Sequence, residues 1–265
     1  MTLNIKKIII KIFEYFGLKI SINKKKSSVN FEYIDKNIWE PFLNKKSNKY
    51  MQIYDEGLIK SKSQFSNSYN KQLRFYSLFQ MAEYILKKNN YENFIECGCW
   101  KGHSSYCVSL ILQKYNFNKK FIIFDSFEGG LSNKDPLDVN NKRFIQNKSN
   151  RNNQIKYFSS SYEEVLALLN PYKFIEINKS WIPKKFELIK DLKFSFIHID
   201  LDLYKPTLET LNFFYPKLVD GGVIICDDYN CSDFPGAKIA IDDFLSKNNV
   251  NFFYEVPFGS CIIIK

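Results

Sequence analysis

The chain has 265 residues, a formal net charge of +10, 45% apolar and 25% charged residues. These proportions, with 25 Phe and 17 Tyr, exclude a disordered, collagenous or disulfide-stapled chain and support one large buried core with an extension. Residues 1–62 hold thirteen Lys and six acidic residues, so seven of the ten surplus charges lie in the N-terminal quarter. Such a surplus attracts an anionic substrate, a nucleic acid or an acidic membrane; a solvated surface is the plainer reading, and no nucleic-acid-binding signature accompanies it.

The first twenty residues, MTLNIKKIIIKIFEYFGLKI, place Ile5, Ile8, Ile9, Ile12, Phe13 and Phe16 at helical spacing, with Lys6, Lys7 and Lys11 on the flank. The longest clean apolar run, Ile8-Ile9-Ile10, falls far short of the about 20 residues of a membrane span. No small-residue cleavage site follows, so a signal peptide is not expected, and the chain is expected in the cytoplasm. The stripe predicts a helix packed on its own domain or on a second subunit, hence a homo-oligomer, rather than one lying on a membrane. Residues 21–30 are a polar linker. A helix is predicted over 72–87 from Leu73, Tyr76, Phe79, Gln80 and Tyr84. The domain reading is therefore a basic, partly helical extension over 1–70 and a main domain over 71–265.

From residue 93 the texture changes. Short apolar runs alternate with helical stretches: 93–97, a helix from about 103, 120–125, a helix near 161–169, 173–177, 194–200, a helix near 206–215, 221–228, a helix near 236–247, then 252–256 and 261–265. Strands alternating with helices predict an α/β fold with a mostly parallel sheet. The runs are apolar on both faces, as central parallel strands require. Pro257-Phe258-Gly259 separates the last two runs, which read as an antiparallel hairpin closing the sheet edge. Residues 129–160 are polar and rich in helix breakers. A segment that long after a strand end reads as a lid over the site.

Six Cys stand at 97, 99, 107, 226, 231 and 261, none in a C-x-x-C pair and with only two His available. That is not zinc spacing. Buried free thiols in a reducing compartment fit better.

Three constellations carry chemistry. In Glu96-Cys-Gly98-Cys-Trp-Lys-Gly102-His-Ser104 a strand passes through two glycines into a helix. Glycines permit a tight turn and close backbone approach, and a helix N-terminus offers N–H groups to a carboxylate or phosphate. The pattern is not G-x-G-x-x-G. The second is Asp125, at the end of the next strand and 27 residues after Gly98, the right separation for an acid that accepts from ribose hydroxyls. The third is the strongest. Asp200 ends one apolar run and Asp227-Asp228 the next. Adjacent parallel strands end on one rim, so these carboxylates converge and call for a hard divalent cation. Asp202 points the same way by strand alternation. His198, inside an apolar run, reads as a structurally paired residue, and His103 as part of a helix first turn. Ser180 and Trp181 follow the 173–177 strand, where an aromatic ring and a hydroxyl can flank a purine.

On FIECGCWKGHSS, FDSFEG, SFIHIDLDLYKPTLETLNFFYPKLVDGGVIICDDY and GAKIAIDDF, the region from about Phe94 to the C-terminus resembles class I S-adenosylmethionine-dependent methyltransferases. More narrowly it resembles the TylF/MycF-like (macrocin O-methyltransferase) family of sugar methyltransferases. The resemblance implies a Rossmann-like sheet with helices on both faces, and a cytoplasmic O-methyltransferase that uses S-adenosylmethionine and Mg²⁺ (Mn²⁺ or Ca²⁺ being equally compatible with oxygen ligands). By matching position Glu96, Gly98, Gly102 and Ser104 would line the methionine end. Asp125 would hold the ribose, with Ser126 and Phe127 beside it, and Ser180 and Trp181 would lie near the adenine. Asp200, Asp227 and Asp228 would bind the metal. Residues 1–70 and 131–160 carry no match.

A sugar hydroxyl attacks poorly until a cation lowers its pKa and a carboxylate takes its proton; Asp200 or Asp202 is the candidate base. The basic balance is compatible with a nucleotide-linked sugar, as in surface-polysaccharide or natural-product synthesis. A methyltransferase of small phenolic diols is one rival, with residues 31–84 supplying an apolar slot. A nucleic-acid-binding protein on the same scaffold is another, but it leaves the three carboxylates without a role.

Overall fold

The computed structural model describes residues 48–88, 90–129, 135–138, 156–231, 234–257 and 259–265. The helix expected over the first twenty residues and most of the 129–160 segment lie outside them. Seven strands form one sheet: β1 Asn93–Cys97, β2 Phe121–Asp125, β3 Ile175–Lys179, β4 Phe194–Ile199, β5 Leu218–Asp227, β6 Phe252–Val256 and β7 Ser260–Ile264. Their order is β3-β2-β1-β4-β5-β7-β6. β1 to β5 pair in parallel, and β7 runs antiparallel to both β5 and β6. The expected C-terminal hairpin is present, but β7 lies inside the sheet and β6 is its edge. The three residues between β6 and β7 are too few for a parallel crossover, so the last strand must reverse. β3 begins two residues later than the sequence suggested, because Phe174 still belongs to the turn and offers its carbonyl to Phe121 N.

The helices are α1 Lys49–Lys60, α2 Tyr69–Leu86, α3 His103–Lys114, α4 Tyr162–Leu169, α5 Tyr204–Phe214 and α6 Pro235–Leu245. Short polar residues start three of them. Asn48 accepts from Tyr50 N and Met51 N, Ser68 from Lys71 N, and Ser161 from Glu164 N, satisfying donors that a first turn leaves open. β1 and β4 are buried along their whole length. One core layer joins Ile95, Ile122, Phe194, Ile197 and Ile224 to Leu211 and Phe214 of α5 and Phe244 of α6. α1, α2 and α3 pack on one another around the fully buried Tyr54, Phe79 and Ala82. Truncating such a phenylalanine costs about 3–5 kcal/mol.

One sequence reading needs correction. The buried face of α2 is Lys71, Phe75, Leu78, Phe79, Ala82 and Leu86, whereas Tyr84 and Gln80 are exposed. The helix is turned because its charged residues Lys71 and Arg74 face the sheet rim. α1 packs on α3 within the unit Asn44–Lys265.

The strand order reverses at β1/β4, with β2 and β3 on one side and β5, β7 and β6 on the other. Crevices at the carboxyl ends of strands beside such a switch are where open α/β sheets bind ligands.

Candidate active site

The turn after β1 is fixed by hydrogen bonds and positive φ angles. Gly98 (φ +89) donates from its N–H to Phe124 O, and Gly102 (φ +77) donates to Cys99 O at 2.7 Å. Gly102 then serves as the left-handed cap residue of α3. Trp100 between them also has positive φ. Ser104, in the first turn of α3, is 6% exposed. Glu96 does not open onto this turn. Its carboxylate accepts from Ser105 Oγ and pairs at 2.8 Å with His198 Nδ1. Both residues are buried, and β1/β4 register sets them side by side. Burial pulls the His198 pKa down, and the flanking Asp227 and Glu96 reverse that, to about 10.

Asp125 ends β2 and holds the glycine turn closed. Oδ2 accepts from Cys99 N and Trp100 N, both at 2.8 Å, and Oδ1 from Phe127 N at 2.7 Å. Burial raises its pKa against these three bonds. Asp125 O also accepts from Ser180 N, which brings the ends of β2 and β3 together. Ser126 Oγ accepts from Glu128 N. Phe127 (φ +59) is buried against Tyr162, and Trp181 Nε1 donates to Glu128 at 2.9 Å. Asp125, Ser126, Phe127, Ser180 and Trp181 thus share one rim segment.

At the ends of β4 and β5 the acids gather. Carboxylate oxygens of Asp200, Asp202 and Asp228 all lie within 4.8 Å of one another. Asp202 and Asp228 occupy positive φ (59° and 65°), a conformation that persists in a non-glycine residue only when its surroundings impose it. Asp227 is turned elsewhere: one oxygen is 3.9 Å from His198 Nε2 and the other 3.9 Å from Arg74. Burial works to raise Asp227, but Arg74 and His198 hold it below the ordinary carboxylate range. Its three neighbours go the other way. Burial, then Asp227 and Asp202, push Asp200 up to about 7; burial, then Asp200, bring Asp228 to about 7; burial and Asp228 raise Asp202 well above its usual value. Asp228 Oδ2 is buried without a hydrogen-bond partner among the described residues.

The sequence model of the macrocin-O-methyltransferase (TylF) family matches residues 27–254. The chain belongs to this family. Members transfer methyl groups to oxygen, and the chain is accordingly an O-methyltransferase. Among TylF-family relatives, demethyldecarbamoylnovobiocin O-methyltransferase of Streptomyces niveus is 26% identical over 188 residues, 67% of each chain. An 8-demethyl-8-(2,3-dimethoxy-α-L-rhamnosyl)-tetracenomycin-C 4′-O-methyltransferase of Streptomyces olivaceus is 24% identical over 164 residues, 59% of this chain and 60% of the relative. The matched stretches thus span about two thirds or less of these relatives. In solved structures the fold recurs in the O-methyltransferase NovP (TM-score 0.57, 21% identity, 73% of this chain and 80% of that one). It recurs also in the S-adenosylhomocysteine-bound methyltransferase PaMTH1 of Podospora anserina (TM-score 0.54, 12% identity, 91% and 99%).

Three side chains around this rim escaped sequence reading. Arg74 of α2 lies 3.4 Å from Asp228. Lys71, one helical turn earlier, is 9% exposed and donates to Ser66 Oγ. Burial lowers its pKa to about 8, while Asp200 pulls the other way. Asp138, buried in the 129–160 segment, accepts from Tyr204 N at 2.6 Å and so caps α5. Cations on the buried face of an otherwise apolar helix were the available signal for the first two. All six Cys are free, and five are buried. No helix among the described residues is long and apolar enough to cross a membrane.

Proposed function

We propose that the chain transfers the methyl group of S-adenosylmethionine to a sugar hydroxyl, with a divalent cation, Mg²⁺ first among Mg²⁺, Mn²⁺ and Ca²⁺, held by Asp200 and Asp228 together with Asp227 or Asp202. One observation carries the reading: four carboxylates crowd the rim beside the topological switch, and the described cations do not balance them. Arg74 and Lys71 offset two of the four, and His198 is already matched by Glu96. Fully ionised, the four acids would keep two negative charges, the charge of one divalent ion; burial and neighbouring carboxylates otherwise raise the pKa of three of them. The all-oxygen donor set and the unpartnered Asp228 Oδ2 fit a hard cation. Such an ion, when bound, lowers the pKa of a hydroxyl beside it.

The glycine turn and the first turn of α3 offer backbone N–H groups to the cofactor's carboxylate. Asp125 Oδ1 accepts one backbone bond, which leaves it a lone pair for a ribose hydroxyl. Ser126 and Phe127 stand beside the ribose, and Ser180 and Trp181 near the adenine. S-adenosylmethionine supplies a methyl group on a sulfonium, and alignment is most of what its displacement requires. Asp200 or Asp202 takes the acceptor's proton; Asp200, lifted to about 7 by burial and its acidic neighbours, is poised for that role. The family's sugar-modifying relative supports a sugar acceptor, and the basic balance supports one linked to a nucleotide.

The test is calorimetric titration with S-adenosylhomocysteine in Mg²⁺ and in EDTA, followed by methylation assays on sugar nucleotides and on catechols. Micromolar binding that Asp125→Ala weakens at least tenfold is expected, with EDTA-sensitive turnover of sugars. Absence of binding in both buffers would end the methyltransferase reading. Turnover of catechols alone would replace the acceptor.

A further inference from the structure

Phe65 and Tyr157 are 60% and 46% exposed, and both lean on Trp100 of the glycine turn. Phe65 meets Trp100 and Tyr157 edge-on at 5.6 Å each, and Tyr157 stacks on Trp100 at 5.8 Å. The arrangement is tied down by Trp100 Nε1, which donates to Tyr157 O at 3.2 Å. Three separate segments therefore converge to build an aromatic patch that leaves much of its ring surface to solvent. Exposed clustered aromatics of this kind mark binding sites rather than core.

The patch is bordered by positive charge. Lys101 Nζ lies 5.1 Å from the Phe65 ring and 5.6 Å from Trp100. Lys71 Nζ lies 5.7 Å from Trp100 on the side of the acidic rim. Lys101 also lines a cavity of about 320 Å³ with Lys60, Lys62, Ser160, Ser161 and Glu164. Lys62 pairs with Glu164 at 2.9 Å, and Lys101 acts on the same carboxylate; that one acid stands against three lysines in the lining. Ser160 Oγ is sealed from solvent there without a hydrogen-bond partner. With three lysines and one glutamate in its lining, the cavity keeps a net positive charge.

A flat ring suits the patch, a phosphate suits the cavity, and Lys101 belongs to both. We infer that Phe65, Trp100 and Tyr157, with the Lys60–Lys101 cavity, form the subsite for the nucleoside diphosphate of a nucleotide-linked sugar acceptor, an inference that rests on the methyl-transfer reading above. The base stacks on the rings, the diphosphate meets the lysines, and the sugar extends past Trp100 towards Asp200 and Asp228. An inorganic anion would leave the rings unused, and a neutral glycoside would leave the lysines unused.

The experiment is calorimetry on the full chain with the 5′-diphosphates of uridine, thymidine and guanosine, with pyrophosphate, and with S-adenosylhomocysteine. At least one nucleoside diphosphate is expected to bind. Lys60→Ala/Lys62→Ala should weaken it about tenfold or more, since hydrogen bonds to charged groups are the strong ones. Phe65→Ala should weaken it about fivefold, as for the loss of one base–aromatic stack, while leaving pyrophosphate unaffected. All three exchanged residues are exposed, and S-adenosylhomocysteine should bind both variants as it binds the parent. No diphosphate binding, or binding indifferent to both variants, overturns the subsite; pyrophosphate binding as tightly as the nucleotides overturns its nucleoside part. S-adenosylhomocysteine binding without nucleotide binding sinks the subsite and leaves methyl transfer standing. Nucleotide binding without S-adenosylhomocysteine binding sinks methyl transfer and the acceptor role together.

Discussion

An added Cβ on Gly98 would sit 1.9 Å from the carbonyl oxygen of Asp200, and the residue's φ of +89 is itself strained for any other side chain. Gly98 is where the end of β1 touches the end of β4, so the glycine turn and the acidic rim are joined at one residue. Gly98→Ala should therefore destabilise the protein by roughly 3 kcal/mol or more, the sum of a wrong backbone region and a backbone clash; urea unfolding reads this directly, and a loss under 1 kcal/mol would mean the two strand ends move apart freely. The Glu96–His198 pair makes a second prediction. Glu96→Leu leaves His198 buried beside Asp227 without its 2.8 Å partner, and breaking a buried pair from one side costs about 3–5 kcal/mol. His198→Leu/Glu96→Leu should recover much of that loss, because both charges then leave the interior. At this scale Gly98, Asp125, Asp200 and Asp228 were legible because each ends or follows an apolar run whose periodicity fixes its place. The partnership of Glu96 was not. Its donor lies 102 residues away in sequence, and only the register of β1 on β4 creates the contact.

Helices α1 and α3 are locked by one histidine. His103 Nε2 bonds to Tyr54 O at 2.9 Å, and its ring lies against Tyr54 and Phe75. Gly57 allows the approach, since a Cβ there would meet Cys107 Sγ at 2.4 Å. Burial first, then Lys71 of α2, lowers the His103 pKa to about 3 from 6.5, against the pull of the Tyr54 carbonyl. A histidine depressed on folding stabilises the fold fully above its unfolded pKa and loses that contribution as pH falls below it. Between pH 7.5 and 5.0 the wild type should lose roughly 2 kcal/mol through this group, and His103→Gln should not. Denaturant midpoints at the two pH values test it; equal losses in both proteins would assign the pH dependence elsewhere. Elements as a class were readable: the runs from residue 93 onward became strands and helices close to where their patterns placed them. What failed needed neighbours. The insertion of β7 between β5 and β6 is a pairing choice that a strand's own pattern does not encode. The face of α2 was misread because Lys71 and Arg74, polar by type, are drawn inward by the acids they meet.

Across the whole molecule charge is distributed against its own stability. The chain is basic overall, yet four acids gather at one rim, and three of them, Asp200, Asp202 and Asp228, are lifted from their ordinary pKa by burial and by neighbouring carboxylates. A fold keeps such repulsion only where something else relieves it, and functional sites are where proteins carry this kind of cost. If a divalent cation is that relief, it binds the folded chain alone and must raise folding stability by mass action. At a concentration of about 100 times its dissociation constant the gain is about 2.7 kcal/mol. For a unit of this size each kcal/mol moves the midpoint by about 2–4 °C, so a rise of roughly 5–10 °C is expected in Mg²⁺ or Mn²⁺ over EDTA. Asp228→Asn should abolish the cation's effect. It should also unfold at a higher temperature than the parent when both are in EDTA, because one of the mutually repelling charges is gone. The two shifts have opposite sign for the same substitution, which general salt screening does not produce. A parent midpoint that is the same in EDTA and in millimolar Mg²⁺ and Mn²⁺ would assign the balancing charge to Arg74 and Lys71 alone and make the acids a purely protein-borne site.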